Sequence, residues 1–111
     1  MLLLLSIVAC GEPAADPCEP MCSSAAALYG GCLEGWGLDW TAAGYEDEED
    51  FLGSCATWAW ELRVLEEAAI ERGELAAGGH VDAVCEERAE LFQDGVCSDY
   101  TDIDWSQPPW D

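Results

Sequence analysis

Cysteine content is the feature that most constrains this fold, because seven cysteines occur in only 111 residues. A domain of this length buries about two thirds of the surface of its unfolded chain, so its hydrophobic core is small. Disulfides stabilise small domains by about 2–4 kcal/mol each, and they persist in oxidising compartments. The cysteine count therefore predicts one small exported domain held by a disulfide framework.

The chain begins with the pattern of an export signal. The apolar run from Leu2 to Ala9 is far shorter than the about 20 residues that span a bilayer, and it ends at Cys10. The segment Ile7-Val8-Ala9-Cys10 resembles the lipobox of bacterial lipoproteins, whose cysteine is acylated and becomes the first mature residue. This resemblance implies a signal peptide over residues 1–9 and a palmitate-type lipid anchor at Cys10.

The start departs from a complete signal peptide, because no Lys or Arg precedes Arg63. A translation start placed too late would account for the missing basic segment. A plain secretory signal is the alternative, and Cys10 would then stay free or pair with another chain. With Cys10 acylated, six cysteines remain, which is the even number that a disulfide framework requires.

The whole chain resembles the uncharacterised cysteine-rich lipoproteins found in deltaproteobacterial genomes. The resemblance implies export and residence at the outer membrane or cell surface, because Gly11 stands where many inner-membrane lipoproteins carry aspartate. It implies no molecular activity.

The formal net charge of -21 arises from 24 acidic residues against three arginines. Such a field repels nucleic acid and anionic lipid headgroups, so attachment to a membrane has to come from the lipid anchor. We expect no nucleic-acid partner. A basic protein, a glycan or a cation is compatible with this charge.

The domain is predicted to be all-α, with three helices after a lipidated tether over residues 10–17. The first helix runs from Pro17 to Tyr29 and ends at two adjacent glycines, Gly30 and Gly31. The second carries four carboxylates at its start, at 47–50, stops at Gly73, and presents one apolar stripe. That stripe is Phe51, Cys55, Trp58, Leu62, Leu65 and Ala69.

A third helix is predicted from Val81 to Phe92, closed by Gly95. Its inward side is expected to carry Val81, Val84, Cys85, Arg88, Leu91 and Phe92. The remainder, from Val96 to Asp111, contains two prolines and is predicted to be an extended tail. The disulfide-rich domain then covers residues 18–111.

In an up-down-up bundle each helical residue rises about 1.5 Å along the axis, so the height of each cysteine can be estimated. Cysteines at similar heights can pair, and these heights suggest a disulfide pairing. They favour Cys18–Cys85, Cys22–Cys55 and Cys32–Cys97 among fifteen pairings.

A degenerate duplication is also suggested, because residues 22–40 and 85–105 share the order cysteine, Leu-aromatic, cysteine, aliphatic-Asp-Trp. If so, the first and third helices are equivalent, and the second lies between them.

No enzyme or cofactor is expected. The sole histidine, His80, lies beside two glycines at a predicted helix start and has no triad partners. The expected function is that of an acidic structural or interaction module displayed on a lipid tether. Binding of calcium or another cation is the alternative, since hard cations prefer clustered carboxylates, although neither acidic cluster has EF-hand spacing. The weak candidate ligands are Asp47, Glu48, Asp50, Asp99, Asp102 and Asp104.

Six tryptophans divide into packing and surface candidates. Trp58, Trp40 and Trp105 are predicted to pack in the interior. The others are predicted to lie at the surface, where an aromatic ring flanked by carboxylates can stack on a sugar or hold a cationic group. These surface candidates are Trp36, Trp60 and Trp110.

Overall fold

A computed structural model describes residues 16–110. These residues form four helices and no strand. The helices are α1 (Cys18–Gly35), α2 (Glu48–Glu71), α3 (His80–Gln93) and α4 (Cys97–Thr101). The prediction of a small all-α domain held by disulfides is confirmed. Within residues 16–110, no helix is both long and apolar enough to cross a bilayer.

Helix α1 is longer than predicted, because Gly30 and Gly31 lie within it and do not end it. The helix is closed two residues beyond Gly35 by Gly37, whose φ of 75° is one that residues other than glycine rarely adopt. There the Gly37 N–H bonds to the Glu34 carbonyl and the Leu38 N–H bonds to the Leu33 carbonyl. These two bonds make a Schellman motif, which satisfies carbonyls that the helix end would leave unpaired.

Helix α2 begins and ends where the sequence predicted. Asp47 is its N-cap and accepts a hydrogen bond from the Asp50 N–H at 2.8 Å. Gly73, with φ of 78°, closes it with a second Schellman motif. The inward stripe is rotated from the predicted one: Ala59 is buried, whereas Leu65 is 49% exposed, so the assignment of Leu65 to the core was wrong.

Helix α3 also begins and ends near its predicted bounds. Val81, Cys85 and Phe92 are buried as expected, but Leu91 is 42% exposed, so its placement on the inward side was wrong. Gly95 follows the helix at a turn where an added Cβ would lie 2.5 Å from the Leu91 carbonyl oxygen. That crowding requires glycine.

The prediction of an extended tail after Val96 was wrong at its start, because residues Cys97–Thr101 form α4. Asp99 accepts a hydrogen bond from the Val96 N–H at 2.9 Å, which favours the helical turn. Residues 102–110, which include Pro108 and Pro109, form no helix or strand. The short helix places Tyr100 against the core.

The core lies mainly between α1 and α3, which pack directly against each other. Ala25 and Ala26 are almost fully buried on α1, and their small side chains let α3 approach closely. The prediction that α2 lies between these two helices was therefore wrong. Helix α2 packs chiefly on α1, through residues that include Phe51 and Leu62.

The predicted disulfide pairing is confirmed. Cys18–Cys85 joins the start of α1 to the first half of α3, Cys22–Cys55 joins α1 to α2, and Cys32–Cys97 joins α1 to α4. Each helix is thus bonded to α1. Three disulfides in one small domain fit an oxidising, exported environment.

Candidate functional site

Aromatic side chains gather on one side of the bundle, towards the C-terminal half of α1. Tyr29 of α1 stacks on Tyr100 of α4, with ring centroids 4.7 Å apart. Phe51, at the start of α2, lies 4.9 Å from Trp40 and 5.1 Å from Tyr45. The rings come from four separate segments, and tertiary packing brings them together.

Part of this cluster opens as a cleft of about 180 Å³. We call it the aromatic cleft; its lining residues are Tyr45, Phe51, Ser54, Cys55, Trp58, Tyr100 and Trp105. Its volume is below the about 300–1,000 Å³ of pockets that hold drug-sized ligands. It therefore has room for a small molecule or one chemical group.

The walls of the aromatic cleft are fixed by packing. Trp58 and Trp105 meet edge to face with centroids 4.9 Å apart, and the Trp58 ring N–H donates to the Trp105 carbonyl at 3.0 Å. Tyr100 lies 5.2 Å from Trp105. Cys55 is held to α1 by its disulfide. These contacts restrict ring rotation, so the cleft keeps its shape without a ligand.

A shallow acidic groove adjoins the aromatic cleft, and the two share Ser54 and Trp58. Asp50 and Glu61 supply carboxylates to the groove, and no basic side chain lines either hollow within residues 16–110. Burial raises the pKa of Tyr45, with the nearby charges of Tyr29 and Asp50 as smaller causes. The Tyr45 hydroxyl is thus neutral at physiological pH.

Tyr100 is also kept neutral. Its pKa is raised well above the ordinary tyrosine range, first by burial and then by neighbouring Tyr45 and Tyr29. Neutral phenols leave the aromatic walls as uncharged surfaces with electron-rich faces. The chemistry of the cleft is therefore aromatic, with negative charge supplied from its acidic side.

Arg88 lies behind the tryptophans. Its guanidinium carbon is 4.8 Å from the Trp105 ring centroid and 5.8 Å from that of Trp58. The buried Arg88 Nη1 has no hydrogen-bond partner in the described part of the chain, and burial lowers the pKa of Arg88 while the Glu87 charge opposes this. Cation–π contacts replace a carboxylate partner here.

One further cluster lies at the start of α1. Oxygens of Asp16 and Asp82 and the Cys18 sulfur come within 4.8 Å of one another, which is the spacing of a metal site. Arg63 already occupies this position, since its Nη2 lies 2.7 Å from each carboxylate. Cys18 is also oxidised in a disulfide, so its sulfur is a poor metal ligand. The cluster is an ion-pair centre.

The two predicted calcium clusters are engaged in local capping. Asp47 accepts from the Asp50 N–H, and Asp50 accepts from the Glu46 N–H at 2.9 Å. Asp99 accepts from the Val96 N–H, and Asp104 accepts from Ser106. Glu48 and Asp102 are exposed. Within residues 16–110, neither cluster brings three ligand atoms together at metal-binding spacing.

The structure separates the predicted surface tryptophans. Trp60 is 65% exposed on α2 and Trp36 is 52% exposed after α1, as expected. Trp110 is only partly exposed and lies 6.2 Å from the ring of His80, the first residue of α3. None of these three lines the aromatic cleft. Trp40 and Trp105 pack against the core as predicted, and Trp58 is partly buried beside it.

Sequence reasoning missed the cleft because its walls are distant in the chain. One signal was present: the duplication pattern aligns Tyr29 with Phe92 and Trp40 with Trp105, and all four belong to the aromatic cluster. The pattern did not predict that Tyr45 and Tyr100 would join them.

No family model matches the chain, and searches of curated proteins and solved structures found no significant similarity.

Proposed function

We propose that this protein is an exported, lipid-anchored, acidic interaction module that binds cationic partners. In this proposal, acylated Cys10 holds it at the outer membrane or cell surface, and the helical domain contacts the partner. The six remaining cysteines are consumed in disulfides, which leaves Cys10 for acylation.

One observation carries the binding part of the proposal: the negative surface is not neutralised by the domain's own cations. Within residues 16–110 no charged side chain is buried in the core. Arg63 and Arg72 already pair with the chain's own carboxylates, and Arg88 lies against tryptophans. A cationic partner would therefore meet carboxylates that far outnumber the chain's three arginines.

The tether keeps the domain close to the lipid. Five residues lie between Cys10 and Asp16, and the six Cα–Cα steps that join them can span at most roughly 20 Å. Asp16 is paired with Arg63 at the start of α1, so the tether leaves the domain at that end. The rings at the aromatic cleft contact Tyr29, about 20 Å further along α1.

Anchoring is tested by fractionating cells that express the wild type or Cys10→Ala. The proposal predicts acyl labelling and membrane residence for the wild type only. A Cys10→Ala protein that remains in the membrane fraction and incorporates acyl label would contradict the proposed anchor.

Partner binding is tested by carbodiimide cross-linking on intact cells, which joins carboxylates to amines. The chain has no lysine, so a cross-link from its carboxylates to a lysine has to reach another kind of protein. We expect adducts with a basic protein that disappear in high salt, because exposed charges are screened. Absence of any such adduct at low salt would refute the proposed class of partner.

A further inference from the structure

We propose that the aromatic cleft binds the ammonium group of a small quaternary ammonium solute. The cleft combines rings from α2, α4 and the loops beside them with an acidic groove on one side. This inference deepens the proposed function, since it gives one part of the acidic surface a defined ligand class. Ligand binding in the aromatic cleft and the proposed lipid-anchored function can fail separately, because the cleft does not depend on acylation.

The arrangement of the rings supports a rounded cation. Tyr45 meets Phe51 at an interplanar angle of 80°, and Trp58 meets Trp105 at 77°. Because these lining rings differ so much in orientation, one flat ligand ring cannot stack on all of them, whereas a compact group can contact several. Aromatic faces attract a cation within about 6 Å of the ring centroid, and quaternary ammonium groups are bound in this way. Arg88 already makes this contact with Trp105 and Trp58, so the rings that do not hold Arg88 are those of Tyr45, Phe51 and Tyr100.

The polar groups of the site favour a cation without N–H donors. A primary ammonium has three donors, and burying them without acceptors is costly. The cleft offers few acceptors: the Ser54 hydroxyl, the phenols of Tyr45 and Tyr100, and carboxylates only on the groove side. A quaternary ammonium needs no acceptor and still gains from the charges of Asp50 and Glu61.

Charge and position favour a free solute over a phosphocholine lipid. The net charge of -21 repels a phosphate, and it also disfavours zwitterions that carry a carboxylate. The proposed tether leaves beside Asp16, whereas Phe51 and Tyr100 contact α1 at Tyr29, far from that end. A cation with no anionic group is the best match.

The test is a calorimetric titration of the full membrane-extracted chain with choline. The detergent is a polyoxyethylene ether, which carries neither a sugar nor an ammonium group. The matched comparison is 3,3-dimethylbutan-1-ol, which has the shape of choline without its charge. We expect choline to bind about fivefold to thirtyfold more tightly than the neutral alcohol, as cation–π attraction predicts. Phosphocholine vesicles and glucose should not bind.

Two variants locate the binding. Ser54 is exposed at the mouth of the cleft, so Ser54→Phe should fill the cleft and abolish choline binding while circular dichroism and thiol content stay unchanged. Trp60→Leu removes an exposed tryptophan outside the cleft and should leave binding unaltered. The proposal is overturned if no choline binds, or if the neutral alcohol binds equally. It is also overturned if only glucose or vesicles bind, or if Ser54→Phe binds like the wild type.

Discussion

Glu66 acts as the N-terminal cap that α3 lacks in its own sequence. Gly79 occupies the N-cap position and has no side chain to accept a hydrogen bond. The Glu66 carboxylate on α2 accepts from the Gly79 N–H and from the Val81 N–H, each at 2.9 Å. A negative group at this position also interacts favourably with the helix dipole. One side chain thus links α2 to the start of α3.

Glu66→Ala is expected to lower the free energy of unfolding by about 1 kcal/mol, as the loss of an N-cap does. The measurement is urea unfolding followed by circular dichroism. Glu67→Ala is the matched control, since Glu67 is adjacent and exposed and forms none of these bonds. Equal stability of the two variants would show that Glu66 does not act as a cap.

Asp16 gives the domain a predicted dependence on pH. Hydrogen bonds from Arg63 and from the Cys18 N–H lower the pKa of Asp16 below its usual 3.8. A carboxylate with a lowered pKa stabilises the fold above the unfolded pKa, and this contribution is lost as pH falls through the folded pKa. The stabilisation is therefore present at pH 7, begins to decline near the unfolded pKa of about 4, and is lost as pH falls further through the lower folded pKa.

Asp16→Asn should cost about 0.5 kcal/mol at pH 7, because both partners are more than a third exposed and solvent screens them. Urea unfolding at pH 7 and pH 3 measures the effect, and the difference between the two proteins should be smaller at pH 3 than at pH 7. Glu74→Gln, in the exposed pair with Arg72, should cause no measurable change. A difference from wild type that is as large at pH 3 as at pH 7 would contradict the assigned role of Asp16.

At the scale of elements, the helix ends show what a sequence can predict. Gly73 was identified correctly, whereas Gly30 and Gly31 were mistaken for the end of α1. The ends of α1 and α2 are marked by glycines that take positive φ, Gly37 and Gly73. Composition alone does not reveal which of several glycines will adopt it. Tertiary contacts decide which glycine ends the helix. Here α1 continues past Gly30 and Gly31 and includes Cys32, which forms a disulfide with Cys97.

Gly31 and Gly30 provide a matched pair of substitutions in α1. Gly31 has no neighbour within 4 Å of an added Cβ, so Gly31→Ala should stabilise by about 0.5–1 kcal/mol through helix propensity. At Gly30 the added Cβ would lie 3.1 Å from Trp40, which offsets that gain. Thermal melts of both variants test this. Equal gains would show that Trp40 does not pack on Gly30.

At the scale of the whole molecule, α1 is the element to which all others are bonded. Its three cysteines, at 18, 22 and 32, bond to α3, α2 and α4 in turn. Their pairing was predictable because rise per residue fixes their heights in a bundle. The aromatic cleft was not, because the positions of Tyr45 and Tyr100 depend on loop paths that no local pattern encodes.

Reduction is expected to unfold the domain at 37 °C. The bonds close loops with sequence separations of 67, 33 and 65 residues, and losing a native disulfide from a small exported domain costs about 2–5 kcal/mol. Because the bonds are largely buried, the chain is unfolded and then refolded with and without reductant. Circular dichroism should show a cooperative melt only for the chain refolded without reductant. An unchanged melt in reductant would mean that helix packing suffices.

Intact mass with a thiol count, on protein extracted from bacterial membranes, tests the central claim most directly. The account predicts a lipid-sized gain in mass on the peptide that starts at Cys10, together with no free thiol. Disulfide mapping of the same sample should recover the Cys18–Cys85, Cys22–Cys55 and Cys32–Cys97 bonds. An unmodified Cys10, or several free thiols among the other six cysteines, would contradict an exported, lipid-anchored module.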